Sequence, residues 1–192
     1  MIHHLRGKLI EKNPAYCVIE CGGVGYMVHI SLNTYSRIPD EEHSLLLTHQ
    51  HISEDAHTLY GFAEEEERRL FRSLISVSGI GCSTARMMLS SMHPQEIESC
   101  IAEEDVARLK KVKGIGEKTA QRIILELRGR LTREPAAKGA VSGGQPAKEH
   151  AANALLTLGF QRNAIDQALE KLIRQQPGLS IEELVKQALK SL

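Results

Sequence analysis

Two glycine-rich units in the middle of the chain could bind an anion through their backbone. Residues 74–85 have the sequence LISVSGIGCSTA and residues 109–120 have the sequence LKKVKGIGEKTA, so a Gly-Ile-Gly triplet recurs after 35 residues. A valine stands two positions before each triplet, and helical apolar spacing flanks it on both sides. The repeat predicts two pairs of helices, each pair joined by a tight hairpin.

The composition of each hairpin explains how it could hold a phosphate group. Glycine permits backbone angles that a Cβ would forbid, and the isoleucine side chain can anchor the turn in the core. The helix that follows presents unpaired N-terminal amides, whose partial positive charge suits a phosphate oxygen. Such contacts carry no sequence information, so we expect binding to duplex backbones without sequence preference. The predicted contact residues are Gly79, Ile80, Gly81, Ser83, Thr84, Gly114, Ile115, Gly116, Lys118, Thr119 and Arg122.

The repetition of the triplet separates this interpretation from simpler ones. A single Gly-Xaa-Gly triplet would fit an ordinary turn between helices equally well. Two copies in matching register, each followed by Thr-Ala, favour a binding function. A dinucleotide-binding fold is poorly supported, because neither triplet follows a predicted strand or extends to Gly-Xaa-Gly-Xaa-Xaa-Gly.

Cysteine and histidine usage predicts neither a metal site nor a disulfide framework. The four cysteines are Cys17, Cys21, Cys82 and Cys100. They form no Cys-Xaa-Xaa-Cys pair, and we interpret them as buried or idle thiols in a reducing compartment. His49, His51 and His57 could suggest metal ligands, but alternating histidines in a strand are more typical of polar surface positions. We therefore expect no metal, no other cofactor and no catalytic residue.

The first third of the chain predicts a small β-barrel. Five short stretches, β-branched or alternating in polarity, are separated by turn signals at Asn13-Pro14 and at residues 22–25. The predicted strands cover residues 5–10, 16–20, 26–30, 44–51 and 57–60. Short strands at this spacing are typical of an OB-type barrel, and a small sandwich is the structural alternative.

Helices are predicted from Glu64 onward, where the apolar period changes to that of a helix. Residues 64–67 are four glutamates, which we interpret as a solvated first turn stabilised by the helix dipole. Residues 132–147 are small and polar and predict a flexible linker. Beyond it, residues 151–158, 164–173 and 181–189 predict a three-helix domain. Its candidate core positions are Leu155, Leu158, Phe160 and Leu184, and Ser180 with Glu183 forms a predicted capping box.

The zero net charge of the chain hides an uneven distribution. Residues 1–70 contain 6 basic and 11 acidic side chains, whereas residues 71–134 contain 11 basic and 8 acidic ones. A neutral total can therefore include a basic, phosphate-binding middle segment. Aromatic residues are only 4% of the chain and tryptophan is absent, which argues against base stacking as the main contact. Since no signal core or membrane-spanning stretch is evident, we expect a cytoplasmic protein with no membrane segment.

Over essentially its full length the sequence resembles the RuvA family of Holliday-junction branch-migration subunits. The resemblance rests on Leu5-Arg6-Gly7, on residues 22–26 and 54–62, on both hairpins, and on the linker with its terminal helices. It implies an α+β multi-domain fold. The expected parts are an OB-fold β-barrel (residues 1–63), a tandem helix-hairpin-helix α domain (64–131), the flexible linker (132–147) and a C-terminal three-helix, UBA-like domain (148–192).

The resemblance also implies an assembly and its partners. A symmetric homotetramer, or an octamer of two stacked tetramers, would hold an open four-way DNA junction on one flat face. Glu54 and Asp55, which composition alone places in a solvated turn, would form an acidic pin that repels phosphates at the junction centre. The C-terminal domain would bind a RuvB-like hexameric ATPase, and a RuvC-like junction resolvase is a further expected partner. Ser83 departs from the family, whose first hairpin often carries a basic residue there.

Two other functions are compatible with paired hairpins. A nuclease or glycosylase would need metal-binding carboxylates or a nucleophile beside the hairpins, and Glu117 and Glu126 flank the second hairpin without forming an evident metal set. A general scaffold would hold any duplex and use its helical tail for unrelated partners. No Walker motif occurs in the chain, so the chain is not itself an ATP-driven motor.

Overall fold

The chain folds into two compact units, Met1–Ala137 and Lys138–Leu192. The computed structural model describes residues 1–39, 43–131, 146–176 and 179–191. The predicted linker lies outside the described residues, except for its last two positions, which belong to a helix. The domain boundaries that the sequence predicts therefore stay predictions.

Five strands form the barrel that the sequence predicts. They are β1 (His4–Asn13), β2 (Tyr16–Cys21), β3 (Val24–Ile30), β4 (His43–Ile52) and β5 (His57–Phe62). The barrel is closed in the order β1-β2-β3-β5-β4, with β3 and β5 parallel and the other neighbouring strands antiparallel. Closure confirms the OB-type fold over the sandwich alternative, because it pairs the two edges that an open sheet would expose.

The barrel interior is filled by side chains that alternate along the strands, as a period of two residues requires. The buried residues are Leu5, Cys17, Ile19, Val28, Ile30, Ile38, Leu46 and Leu59. A short helix that the sequence analysis did not predict, α1 (Leu32–Arg37), follows β3. Ser31 starts this helix, because its side chain accepts a hydrogen bond from the Thr34 amide at 2.9 Å.

Five further helices complete the first unit. They are α2 (Glu65–Ile75), α3 (Cys82–Ser91), α4 (Pro94–Ala102), α5 (Val106–Leu109) and α6 (Glu117–Leu131). Their shared core is separate from the barrel interior but includes Phe62 of β5, so the helices pack against the barrel through this strand. Phe71 of α2 lies at this junction, with its ring centroid 5.2 Å from that of Tyr60 and 5.0 Å from that of Phe62.

Glu67 is buried where α2 meets the barrel. Its carboxylate accepts hydrogen bonds from the hydroxyls of Ser31 and Thr34, the second at 2.7 Å. The predicted solvated first turn is therefore wrong at this position. The physical reason is the helical period, because Glu67 shares a face of α2 with the buried residues Leu70, Phe71 and Leu74.

Arg68, the next residue of α2, is also buried and reaches the opposite part of the barrel. Its guanidinium donates to the His3 carbonyl at 2.9 Å and to the Thr48 carbonyl at 3.4 Å, and it forms an ion pair with Glu65. Glu67 and Arg68 together fix α2 on the barrel at two places. Every later element of the first unit is positioned relative to this helix.

The second unit is a three-helix bundle, as the sequence predicts. It contains α7 (Pro146–Thr157), α8 (Arg162–Gln175) and α9 (Ile181–Ser191). Leu155 and Leu184 are buried in its core and Phe160 packs against it, but Leu158 is 59% exposed and is not a core residue. The predicted capping box is present, since Ser180 Oγ accepts from the Glu183 amide and the Glu183 carboxylate accepts from Ser180. Across the described ranges, no helix has the length and apolar content needed to cross a membrane.

The burial of Glu67 predicts a measurable pH dependence. Burial raises the pKa of Glu67, although the Ser31 and Thr34 hydroxyls and Arg37 act in the opposite direction. As pH rises above the ordinary glutamate pKa, the unfolded chain loses its proton first, so the contribution of Glu67 to stability falls until the folded-state pKa is passed. Because glutamine does not titrate, the Glu67→Gln variant should gain stability relative to the wild type across this window.

Urea denaturation at a series of pH values measures that difference. Glu66→Gln, one residue earlier on α2, removes a carboxylate that is only half-buried and is the matched control. The prediction would be contradicted if the free energies of unfolding of the wild type and Glu67→Gln differed by the same amount at all pH values.

Candidate nucleic-acid interface

The two glycine hairpins have nearly the same structure. In each, an isoleucine amide donates to the carbonyl of the preceding valine, from Ile80 to Val77 and from Ile115 to Val112, both at 3.0 Å. Both isoleucines are 5% exposed, so each anchors its turn in the core as the sequence predicts. Each hairpin is therefore anchored to the core by one apolar side chain.

Glycine is required at the first position of each triplet. Gly79 and Gly114 both have φ = +92°, a conformation that L-residues rarely adopt. Gly81 and Gly116, at the last positions, lack this constraint, and among the described residues no atom outside the adjoining ones lies within 4 Å of where a Cβ would stand. The first glycine thus makes the turn, and the last one leaves the surface open for a close approach.

The amides at the start of α3 and α6 are positioned to bind an anion. The first backbone bond of α3 runs from the Ala85 amide to the Gly81 carbonyl at 3.0 Å, and in α6 it runs from Ala120 to Gly116 at 2.9 Å. The amides of residues 82–84 and 117–119 precede these bonds and have no earlier turn to pair with. No side chain caps α3. Each hairpin therefore presents a row of amides at the positive end of a helix dipole.

The side chains around the second hairpin are more basic than those around the first. Lys118 is exposed at the start of α6, whereas the equivalent residue of α3 is the exposed Ser83. Lys110 forms an ion pair with Glu117 at 2.6 Å and lowers the pKa of that carboxyl. Thr84 and Thr119 are half-buried at matching positions.

Arg122 connects the two hairpins. Its guanidinium donates to the carbonyl of Ser78 in the first hairpin at 3.2 Å and lies 3.9 Å from the carboxylate of Glu126 on its own helix. The sequence analysis placed Arg122 among the phosphate contacts but gave no indication of the bond to Ser78. This bond links α6 to the first hairpin.

Glu54 and Asp55 lie at the tip of the turn between β4 and β5. The turn is closed by the Ser53 amide, which donates to the Ala56 carbonyl at 2.9 Å, and by the Ser53 hydroxyl at 3.2 Å. Both acidic side chains are exposed. The structure therefore presents two carboxylates at the end of a closed hairpin.

The two carboxylates beside the second hairpin already lie next to basic side chains. Glu117 pairs with Lys110, and Glu126 lies near Arg122. Neither carboxylate belongs to a cluster of metal-ligating side chains in the part of the chain that the structure describes. This arrangement gives no support to a hairpin nuclease.

Three family models match the chain in order. RuvA N terminal domain matches residues 1–61, SAM-like Helix-hairpin-helix tandem matches residues 71–129, and RuvA, C-terminal domain matches residues 146–192. A protein of Christiangramia forsetii is 52% identical over the whole of both chains, and proteins of Flavobacterium psychrophilum and Bacteroides fragilis are 45% and 43% identical with the same full coverage. The chain belongs to the RuvA family. All three relatives are named Holliday junction branch migration complex subunit RuvA.

The hairpins of this RuvA-family chain differ in burial at one position. Cys82, the first residue of α3, is 8% exposed, whereas its counterpart Glu117 at the start of α6 is exposed. The sequence carried a signal of this difference, because the two copies have a thiol and a carboxylate at an otherwise similar place. The sequence analysis interpreted Cys82 as a buried or idle thiol, which agrees with its burial, but drew nothing from the difference between the two copies.

The two glycine positions should respond differently to alanine. Gly114→Ala forces an L-residue into the left-handed region and should lower the free energy of unfolding by about 1–3 kcal/mol. Gly116→Ala meets no such strain and should leave stability unchanged or raise it by about 0.4–1 kcal/mol, because alanine restricts the unfolded chain. Urea unfolding measures the free energy of unfolding of both variants. The single variants Gly79→Ala and Gly81→Ala repeat the comparison in the first hairpin. Equal losses of stability at the first and last glycines would show that the turn conformation does not explain the requirement for glycine.

Proposed function

We propose that this chain binds four-way DNA junctions as a symmetric homotetramer and serves as the junction-binding subunit of a branch-migration complex. The observation that carries the proposal is the pair of hairpins with the same backbone bonds, the same φ at the turn and the same run of first-turn amides before the first helix bond. The names of its relatives support the same role.

The hairpins suit duplex backbone and not a base sequence. Their amides would donate hydrogen bonds directly to phosphate oxygens, and Lys118 would add a charged donor beside the second row of amides. Because both hairpins lie in one chain and Arg122 of α6 bonds to Ser78 of the first hairpin, one chain would contact two places along the same arm of DNA. Binding of this kind depends on phosphate positions and is indifferent to the base pairs between them.

A symmetric tetramer would convert these contacts into junction recognition. Four copies would place equivalent pairs of hairpins on four equivalent arms, which a single chain could not do. The tips of the four β4–β5 turns would meet at the centre, where Glu54 and Asp55 would repel the crossing phosphates and keep the arms apart. Stacking of two tetramers into an octamer is compatible with the same geometry.

The second unit would recruit the motor. It has its own core, and it exposes Leu158, Ile181 and Leu189 on its surface. We assign to it the binding of a RuvB-like hexameric ATPase, which would supply the force for branch migration, and a RuvC-like resolvase would act on the same junction. In this account the chain positions DNA and performs no chemical step itself.

Comparison of a four-way junction with linear duplex of the same arm sequence tests the proposal. Fluorescence anisotropy in moderate salt should give a junction affinity more than about tenfold above that for duplex, a difference of ~1.4 kcal/mol. The same complexes should contain four chains, or eight, for each junction by mass photometry. Equal affinities would leave the hairpins as general duplex contacts and would favour the scaffold alternative.

The acidic turn can be tested in the same assay. Glu54→Gln combined with Asp55→Asn should reduce the preference for the junction over linear duplex. Duplex should bind more tightly, because the repulsion at the centre is removed. Glu20→Gln combined with Glu182→Gln removes the same charge from exposed positions elsewhere and is the matched control. If both double variants changed the preference equally, net charge and not a central pin would explain it.

A further inference from the structure

Three metal-ligating side chains lie together where the β4–β5 hairpin meets the first DNA-binding hairpin. His49 and His51 alternate along β4, which places them on the same face of the strand. Cys82 is the first residue of α3. One potential ligand atom from each residue lies within 4.8 Å of the other two. Residues distant in sequence thus converge on one point.

The chemistry of the three side chains suits zinc. Two imidazoles and one thiolate are ligands that Zn²⁺ prefers, at about 2.0–2.1 Å for nitrogen and ~2.3 Å for sulfur. Small side-chain rotations would bring ligand atoms that lie within 4.8 Å of each other to the spacing of a tetrahedral site. The Nδ1 atom of His49 is buried and has no hydrogen-bond partner among the described residues. The ring nitrogen that is left unsatisfied belongs to a member of the cluster.

The surroundings hold two of the ligands in place. The His49 ring packs on Phe71 with 5.4 Å between centroids, so this histidine is half-buried, whereas His51 has the exposed position that the sequence predicts. Cys82 is buried, although the matching position in the second hairpin is exposed. Arg68 and Arg72 both act electrostatically on His49, so an entering cation meets positive charge. The Cys82 thiolate, formed by release of the thiol proton on binding, would supply the compensating negative charge.

We propose that His49, His51 and Cys82 form a Zn²⁺ site with three protein ligands and a fourth position open to water. The ion would tie β4 to the start of α3. Since His51 stands three residues before Glu54, it would also fix the acidic turn relative to the first hairpin. That last consequence rests on the proposed function, whereas metal binding itself does not. The sequence analysis had predicted no metal.

Cobalt titration of the untagged, reduced full chain, without DNA, tests the site. Co²⁺ should bind with one ion per chain and produce both a thiolate-to-cobalt charge-transfer band and the visible bands of a tetrahedral complex. Zn²⁺ should then abolish both spectra by displacing cobalt, and it should raise the melting temperature of the wild type. Absence of a thiolate-to-cobalt band at saturating Co²⁺ would overturn the proposal.

Variants assign the ligands. Cys82→Ser should remove the charge-transfer band, and His51→Val, at an exposed strand position, should weaken cobalt binding by at least about tenfold, a loss that even outer-shell changes produce. Cys21→Ser and His57→Val change the same residue types outside the cluster and should leave the spectrum intact. A band that survived Cys82→Ser and disappeared in Cys21→Ser would contradict the assignment. Because no DNA is present, failure here is distinguishable from failure of junction binding.

Discussion

The arrangement of the first unit depends on two adjacent charged residues that α2 buries against the barrel. The Glu67 carboxylate accepts hydrogen bonds from the hydroxyls of Ser31 and Thr34. The Arg68 guanidinium donates hydrogen bonds to the carbonyls of His3 and Thr48. Buried charges are costly unless they are fully paired, so their partners specify where α2 can lie. Since both hairpins follow α2 and share its core, this contact sets the position of their first-turn amides relative to the acidic turn.

Duplication of one small element produces a surface that a single copy would lack. The hairpins repeat the same turn, the same buried isoleucine and the same exposed amides, and Arg122 of the second copy bonds to Ser78 of the first. A backbone amide presents the same charge whatever the side chain, which explains why the copies tolerate Ser83 in one and Lys118 in the other. Repulsion by Glu54 and Asp55 would then supply the selectivity that such uniform contacts do not have.

Much of this could be predicted from the sequence, because the signals were local or repeated. Short stretches of alternating polarity predicted the barrel, and the helical spacing of apolar residues predicted the three-helix bundle. The repeated Gly-Ile-Gly triplet predicted the hairpins. What the sequence did not predict depends on contacts between distant residues. Glu67 has the composition of a solvated residue, but it lies on the buried face of α2, and its hydroxyl partners Ser31 and Thr34 are distant in sequence. The convergence of His49 and His51 with Cys82 likewise needs the packing of α3 on the barrel.

Hydrogen exchange of the hairpin amides, with and without a four-way junction, tests the central claim most directly. Amides in the first turn of a helix lack intrahelical partners and exchange quickly in the free protein. The account predicts that residues 81–84 and 116–119 both become protected when the junction binds, and that the β1–β2 turn at Asn13-Pro14 does not change. Protection elsewhere in the chain, with both hairpin segments still exchanging freely, would contradict the claim that these amides bind the DNA backbone.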